Sequence, residues 1–227
     1  MAQHSATHLV TGAGSGIGAI VAERLHARGD RLVLLARSQE RSAELAARFP
    51  GALVLVADLA WPESVESLTL PDGLDSVVHS AGVVELGTVG ELSIDDWATQ
   101  LRVNLVAPAA LTRVALPALR AARGTVVFVN SGAGLAAHPG WSAYAASKHG
   151  LKALADSLRG EEPALRVTTV YPGRTGTPMQ AKVHEQEGKE YDAAAWIRPE
   201  TVADAILHVL DLPRDATIPD VTVRPTA

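Results

Sequence analysis

Leu9-Val10-Thr11-Gly12-Ala13-Gly14-Ser15-Gly16-Ile17-Gly18 leads directly into Ala19-Ile20-Val21-Ala22-Glu23-Arg24-Leu25-His26-Ala27-Arg28-Gly29. An apolar start, a glycine-built turn and a segment of helical period follow without a break, and Gly29 stands where a C-cap glycine would. The stretch reads as strand, glycine turn, helix. In such a turn, main-chain N–H groups and a helix N-terminus approach a pyrophosphate without obstruction by Cβ atoms. Gly12 makes the turn, Gly16 permits close approach and Gly18 lets the helix pack on the sheet; Ser15 and Ile17 complete the candidate cofactor loop. A glycine-rich loop is also found in ordinary turns, and it is the setting between strand and helix that favours the nucleotide reading.

Further along, Arg31-Leu32-Val33-Leu34-Leu35-Ala36 reads as the next strand, followed by Arg37-Ser38. An NAD site commonly carries an acid at such a strand end for the ribose 2′-hydroxyl, whereas a cation accommodates a 2′-phosphate. Arg37 and Ser38 therefore favour NADP(H); a solvated arginine opening the next helix is the other reading. Ala52–Val56 forms a third strand ending at Ala57-Asp58-Leu59, and Trp61 to Leu70 leaves room for only a brief helix. Asp75–His79 is the fourth strand, and Ser80-Ala81-Gly82 ends it with small residues that admit a cofactor.

A second decisive stretch runs from Ser131 to Lys148. Tyr144 and Lys148 are four residues apart and share a helix face. A neighbouring cation favours phenolate and lowers a tyrosine pKa from about 10, bringing proton transfer to a substrate oxygen within reach. Ser131 follows the apolar strand Thr125–Val129, at its carboxyl end. Taken alone, the Tyr–Lys pair reads equally well as a solvated helix face.

The bulk properties narrow the class. A chain of 227 residues suits one large α/β domain. A net charge of −5 with scattered Lys and Arg argues against a nucleic-acid partner. The absence of cysteine excludes disulfides, thiolate catalysis and cysteine-ligated metals, and the eight histidines lack ligand spacing, so no metal is expected. No basic segment followed by an apolar one opens the chain, and no apolar run reaches transmembrane length, so no membrane role and a cytoplasmic location are expected.

Together Thr11-Gly12-x-x-x-Gly16-x-Gly18, Asp58-Leu59, Ala81-Gly82, Asn104, Ser131, Tyr144-x-x-x-Lys148 and Pro172-Gly173 followed by Thr177 resemble the short-chain dehydrogenases/reductases over nearly the whole chain. The resemblance implies a Rossmann-type, doubly wound, mainly parallel seven-stranded sheet with helices on both faces. It implies catalysis by Asn104, Ser131, Tyr144 and Lys148. It also implies an adenine contact at Asp58, a carboxamide contact near Thr177, and further cofactor contacts at Leu59, Ala81, Gly82, Tyr144, Lys148, Pro172, Gly173 and Thr175. The family's usual Asn-Asn-Ala-Gly is His79-Ser80-Ala81-Gly82 here, which removes two polar supports from the turn.

Pro108 cannot donate to the carbonyl of Asn104, so a kink there is expected, with the freed carbonyl holding a water that passes protons toward Lys148; the alternative is a helix that ends before Pro108. Leu165–Tyr171 reads as a sixth strand, turned out by Pro172-Gly173; Pro199-Glu200-Thr201 opens a final helix to Leu210, and Val221-Thr222-Val223 is an edge strand. Residues Pro178 to Arg198 are expected to form a substrate lid, in which His184 and Lys182 read as surface residues. Val84, Glu85, Leu135, His138, Trp141, Gln180 and His184 are pocket candidates, and Arg174 is either a carboxylate partner or exposed. The family's habit implies a homodimer or homotetramer, through alanine-rich faces around Ala109 and Ala145 or by other surfaces if those alanines only reflect helix propensity. The resulting expectation is an NADP(H)-dependent oxidoreductase interconverting a carbonyl and an alcohol on a small substrate. A non-catalytic NADPH sensor is the alternative.

Overall fold

Seven strands form one sheet in the computed structural model, which describes residues 5–226. Part of the N-terminal stretch read above, residues 1–4, lies outside the described residues, as does Ala227. The strands are β1 (Thr7–Thr11), β2 (Arg31–Ala36), β3 (Leu53–Val56), β4 (Ser76–His79), β5 (Thr125–Val129), β6 (Arg166–Pro172) and β7 (Asp220–Val223). Their order is β3-β2-β1-β4-β5-β6-β7. Every pairing is parallel, so the sheet is wholly rather than mainly parallel. This is the doubly wound Rossmann-type arrangement.

Parallel strands buried on both faces need apolar residues at consecutive positions, and these strands supply them. Leu9, Val33, Val77 and Val126 pack on one side with α4 (Ala107–Ala122) and α5 (Ser142–Glu161). Their neighbours Val10, Leu34, Val78 and Val127 pack on the other with α1 (Gly16–Ala27), α2 (Gln39–Arg48) and α7 (Pro199–Asp211). β1 pairs with both β2 and β4, so the strand order reverses there and a crevice opens beyond the carboxyl ends.

The remaining helices are α3 (Ile94–Leu101) and α6 (Pro178–Gln186). Ser93 starts α3 with a reciprocal capping box to Asp96. Between α3 and α4 the chain neither ends nor leaves the helix at Pro108. A π segment, Arg102–Val106, carries it through, with the Ala107 N–H donating to the Arg102 carbonyl. The helical run Ile94–Ala122 is long and apolar enough to cross a membrane by length and composition alone, although Arg102, Arg113 and Arg120 interrupt its apolar residues. Its Leu111, Ala115 and Leu119 are instead buried in the core of this fold.

Candidate active site

Backbone contact shapes the first wall of the crevice. Thr11 ends β1 with its hydroxyl accepting from the N–H groups of Ser80 (3.1 Å) and Ala81 (3.0 Å), which joins the ends of β1 and β4. Gly12 has φ of 72°, and a Cβ there would lie 2.9 Å from the Ala81 nitrogen. A Cβ on Gly18 would lie 2.6 Å from the Gly12 carbonyl oxygen, so α1 starts hard against the turn. Gly12, Gly14 and Gly16, which carry no side chain, line the crevice beside Ser15 and Ile17.

His79 does not take over the role of the expected asparagine at the turn. Its ring is buried under the sheet, stacked on Phe128 at 4.9 Å, with Nε2 2.9 Å from the Thr112 hydroxyl. Burial pushes its pKa down to about 3, so it is neutral. Support for the Ser80-Ala81 main chain comes from Thr11 instead.

β5 and α5 supply the second wall. Tyr144 and Lys148 are both buried, and the Lys148 ammonium donates to the Val129 carbonyl at 3.0 Å. Asn130 fastens helix to strand: its Nδ2 donates to the Lys148 carbonyl at 3.0 Å and its Oδ1 accepts from the Ser131 N–H at 2.8 Å. The Ser131 hydroxyl accepts from the Ala133 N–H at 3.2 Å, which starts the short turn Gly132–Gly134. Trp141 meets Tyr144 edge-on with ring centres 5.8 Å apart.

Asn104, in the π segment, hydrogen-bonds the Val83 main chain in both directions at 2.9 Å and donates to the Ser147 hydroxyl at 3.0 Å. Gln100 grips the main chain of Glu85 in the same two-way manner, at 3.1 Å each way. Two buried amides thus fix the loop after β4.

Electrostatics correct one expectation. Burial raises the Tyr144 pKa, with a Ser131 side-chain hydrogen bond acting in the opposite direction. Burial also lowers Lys148 to about 8. The lysine sits 5.8 Å from the tyrosine ring centre and spends its hydrogen bond on Val129, so desolvation, not the cation, dominates the phenol here.

Around these groups lies a cleft of about 1100 Å³. It gathers Gly12, Ser15, Gly16, Ile17, Arg37, Asp58, Leu59, Ala81, Gly82, Ser131, Tyr144, Lys148, Pro172, Gly173, Thr175 and Thr177 in one lining. Three expected residues stand behind it. Gly18 packs on the turn, Ser38 caps α2 by accepting from the Arg41 N–H, and Asn104 holds Val83. Asp58 turns its carboxylate to the Ala60 N–H at 2.9 Å.

Of the pocket candidates, Val84, His138, Trp141 and Gln180 line the cleft, whereas Glu85, Leu135 and His184 do not. Glu85 faces Lys182 at 2.7 Å and Leu135 is exposed. His184 is neither ligand-facing nor on the surface: it is buried between Tyr191 and Trp196, each 5.3 Å away. Arg174 lines the cleft but forms a two-pronged pair with Glu187 at 2.6 and 2.9 Å, so it is neither exposed nor free for a substrate carboxylate. Ala145 is buried within its own fold, which leaves only Ala109 of the two alanine faces partly open.

Sequence reading placed Thr11 in the glycine motif without giving it a role and missed Asn130 and Arg224; all three lie in or beside the cleft. Thr11 and Asn130 share a signal: each is a polar residue at or just past the end of an apolar strand.

A parallel doubly wound sheet with a glycine cradle, and a Ser, Tyr and Lys gathered in its crevice, define a dinucleotide-binding oxidoreductase architecture. The chain belongs to the short chain dehydrogenase family, which it matches over residues 6–188. It is 31% identical to the dehydrogenase/reductase SDR family member 11 of Bos taurus over 96% of this chain and 95% of that protein. Among solved structures, the closed form of a serine dehydrogenase complexed with NADP+ superposes with a TM-score of 0.86 at 25% identity, covering 96% of this chain and 94% of that one. A short chain dehydrogenase of Escherichia coli complexed with NADPH gives 0.87 at 27% identity, with 97% of each chain covered.

Proposed function

We propose that this protein is an NADP(H)-dependent oxidoreductase that interconverts a carbonyl and an alcohol on a small organic substrate. One observation carries the reading: Ser131, Tyr144 and Lys148 line the same cleft as the glycine cradle and Arg37. The cradle fits a dinucleotide, since Gly12, Gly14 and Gly16 line the cleft at the start of α1 with no side chain to obstruct a pyrophosphate. Arg37 is exposed beyond β2 and would hold a 2′-phosphate beside Ser38 and Arg41. Several similar structures hold NADP or NADPH, which supports the same choice.

When bound, the nicotinamide supplies or accepts a hydride. Tyr144 donates its phenolic proton to the substrate oxygen during reduction and takes it back during oxidation. Ser131 donates a hydrogen bond to that oxygen. Lys148, protonated at neutral pH with a pKa of about 8, binds the ribose and becomes the cation that eases the proton from Tyr144 once its hydrogen bond to Val129 is exchanged. Asn104 holds the Val83 loop and the π segment that ends a proton path. Residues 178–198 act as the lid of a single catalytic domain, tied down by Arg174–Glu187 and Lys182–Glu85. Self-association as a homodimer or homotetramer would use the Ala109 face of α4.

The test is NADPH consumption against ketones, aldehydes, oxo acids and quinones, repeated with NADH and with Tyr144→Phe. Turnover that prefers NADPH and falls at least a hundredfold in Tyr144→Phe, with NADPH binding retained, is expected. Tight NADPH binding with no turnover in any arm would replace this reading with a non-catalytic sensor.

A further inference from the structure

The chain carries a net charge of −5, yet its cleft is not uniformly acidic. Among the described residues two carboxylates line it, Glu44 and Asp58, and both lie on the side of β2 and β3. Glu44 is paired with Arg41, and Asp58 is turned to a main-chain N–H. At the opposite end, beyond β5, β6 and β7, no carboxylate lines the cleft among the described residues.

Two arginines stand at that end. Arg174 is neutralised by Glu187. Arg224 follows β7 directly, lines the cleft, and has no carboxylate partner among the described residues. Its guanidinium lies against Gly132, where a Cβ would meet Nη1 at 2.5 Å and Nη2 at 3.6 Å. Gly132 is the residue after Ser131, so the guanidinium lies against the start of the short turn that Ser131 caps. Pro225 fixes this approach by packing on Gly173, whose N–H donates to the Val223 carbonyl at 2.8 Å.

We propose that Arg224 selects substrates that carry a carboxylate, so that the preferred pair is an oxo acid and its hydroxy acid, with the apolar body against Val84, Trp141 and Met179. A planar guanidinium offers a carboxylate two parallel hydrogen bonds, and a cleft end lacking acids concentrates anions. The inference rests on the proposed carbonyl–alcohol chemistry and adds its substrate class.

The experiment compares 2-oxo and 3-oxo carboxylates of four to eight carbons with their methyl esters, using NADPH, in the parent protein, Arg224→Gln and Arg224→Lys. The parent should favour acid over ester in kcat/KM. Arg224→Gln should lower that acid-to-ester ratio at least tenfold, mainly through KM for the acid, and Arg224→Lys should restore part of it. Rising salt should raise KM for the acid in the parent and leave the ratio flat in Arg224→Gln. Equal ratios in parent and Arg224→Gln, or acid and ester falling together, would overturn the Arg224 assignment while carbonyl turnover stands. Absence of turnover in every arm would overturn the underlying function, and the assignment with it.

Discussion

The ammonium of Lys148 donates to the main-chain oxygen of Val129, 3.0 Å away, at the last residue of β5. This bond anchors a lysine that burial has brought to a pKa of about 8. Between pH 8 and 10.5 the unfolded chain binds more protons than the folded one, so stability should rise with pH across that window. The rise attributable to this residue is about 3 kcal/mol, at ~1.4 kcal/mol per pH unit. Lys148→Met should lack it. Urea unfolding of both proteins at pH 7.5 and pH 10 checks this, and curves that stay parallel would refute the buried ammonium.

His79 predicts the opposite limb of the pH profile. Its folded pKa is lowered by burial from 6.5 to about 3, so below pH 6.5 the unfolded chain takes up a proton that the fold refuses. Stability is lost as pH falls through that window, at up to ~1.4 kcal/mol per unit from this residue. His8, also lowered by burial, adds in the same direction. His79→Asn should flatten the loss between pH 6.5 and 4.5 whatever its effect at pH 7. Thermal denaturation in matched buffers measures the slope, and an unchanged slope would assign acid sensitivity elsewhere.

Gly18→Ala should weaken both fold and cofactor affinity. The new methyl would be placed 2.6 Å from the Gly12 carbonyl, and that neighbour is main chain. Overpacking of this kind costs roughly 1–3 kcal/mol. The displaced turn should lower NADPH affinity at least tenfold, read by fluorescence titration. Gly29→Ala serves as the comparison, because its Cβ would meet nothing within 4 Å and its positive φ of 81° alone opposes the change.

Arg37→Asp should reverse the choice of cofactor. Loss of a charge-assisted contact to a 2′-phosphate, worth about 1.5–3 kcal/mol, should reduce NADPH affinity 10- to 150-fold. The carboxylate should improve NADH binding through the ribose 2′-hydroxyl. Dissociation constants for both dinucleotides decide the matter; an unaltered NADPH-to-NADH ratio would return Arg37 to a solvated helix start.

Much of the fold was legible because its signals are local. Consecutive apolar residues mark strands buried on both faces, and at Gly12 and Gly18, where β1 turns into α1, a Cβ would strike main chain. The residues expected to touch a cofactor do share one cleft, Gly18 and Ser38 excepted, because they sit at strand ends that a parallel sheet brings to the same edge. What stayed hidden depends on partners distant in sequence. Arg174 gave no sign of Glu187, nor His184 of its place between Tyr191 and Trp196. The phenol's response to burial was hidden for the same reason, since a Tyr–Lys spacing shows the cation but not the desolvation around it. Pro108 was legible as a disturbance, but whether a helix answers with a break, a kink or a π turn is decided by packing on both sides.

Strand β7 joins the sheet at its edge beside β6, and Arg224 follows it into the cleft. The pairing of β7 on β6 is thus what sets the Arg224 guanidinium against Gly132. A slip of this edge strand along its neighbour would carry the cation away from the cleft, so strand register and the charge at that end of the cleft are one variable.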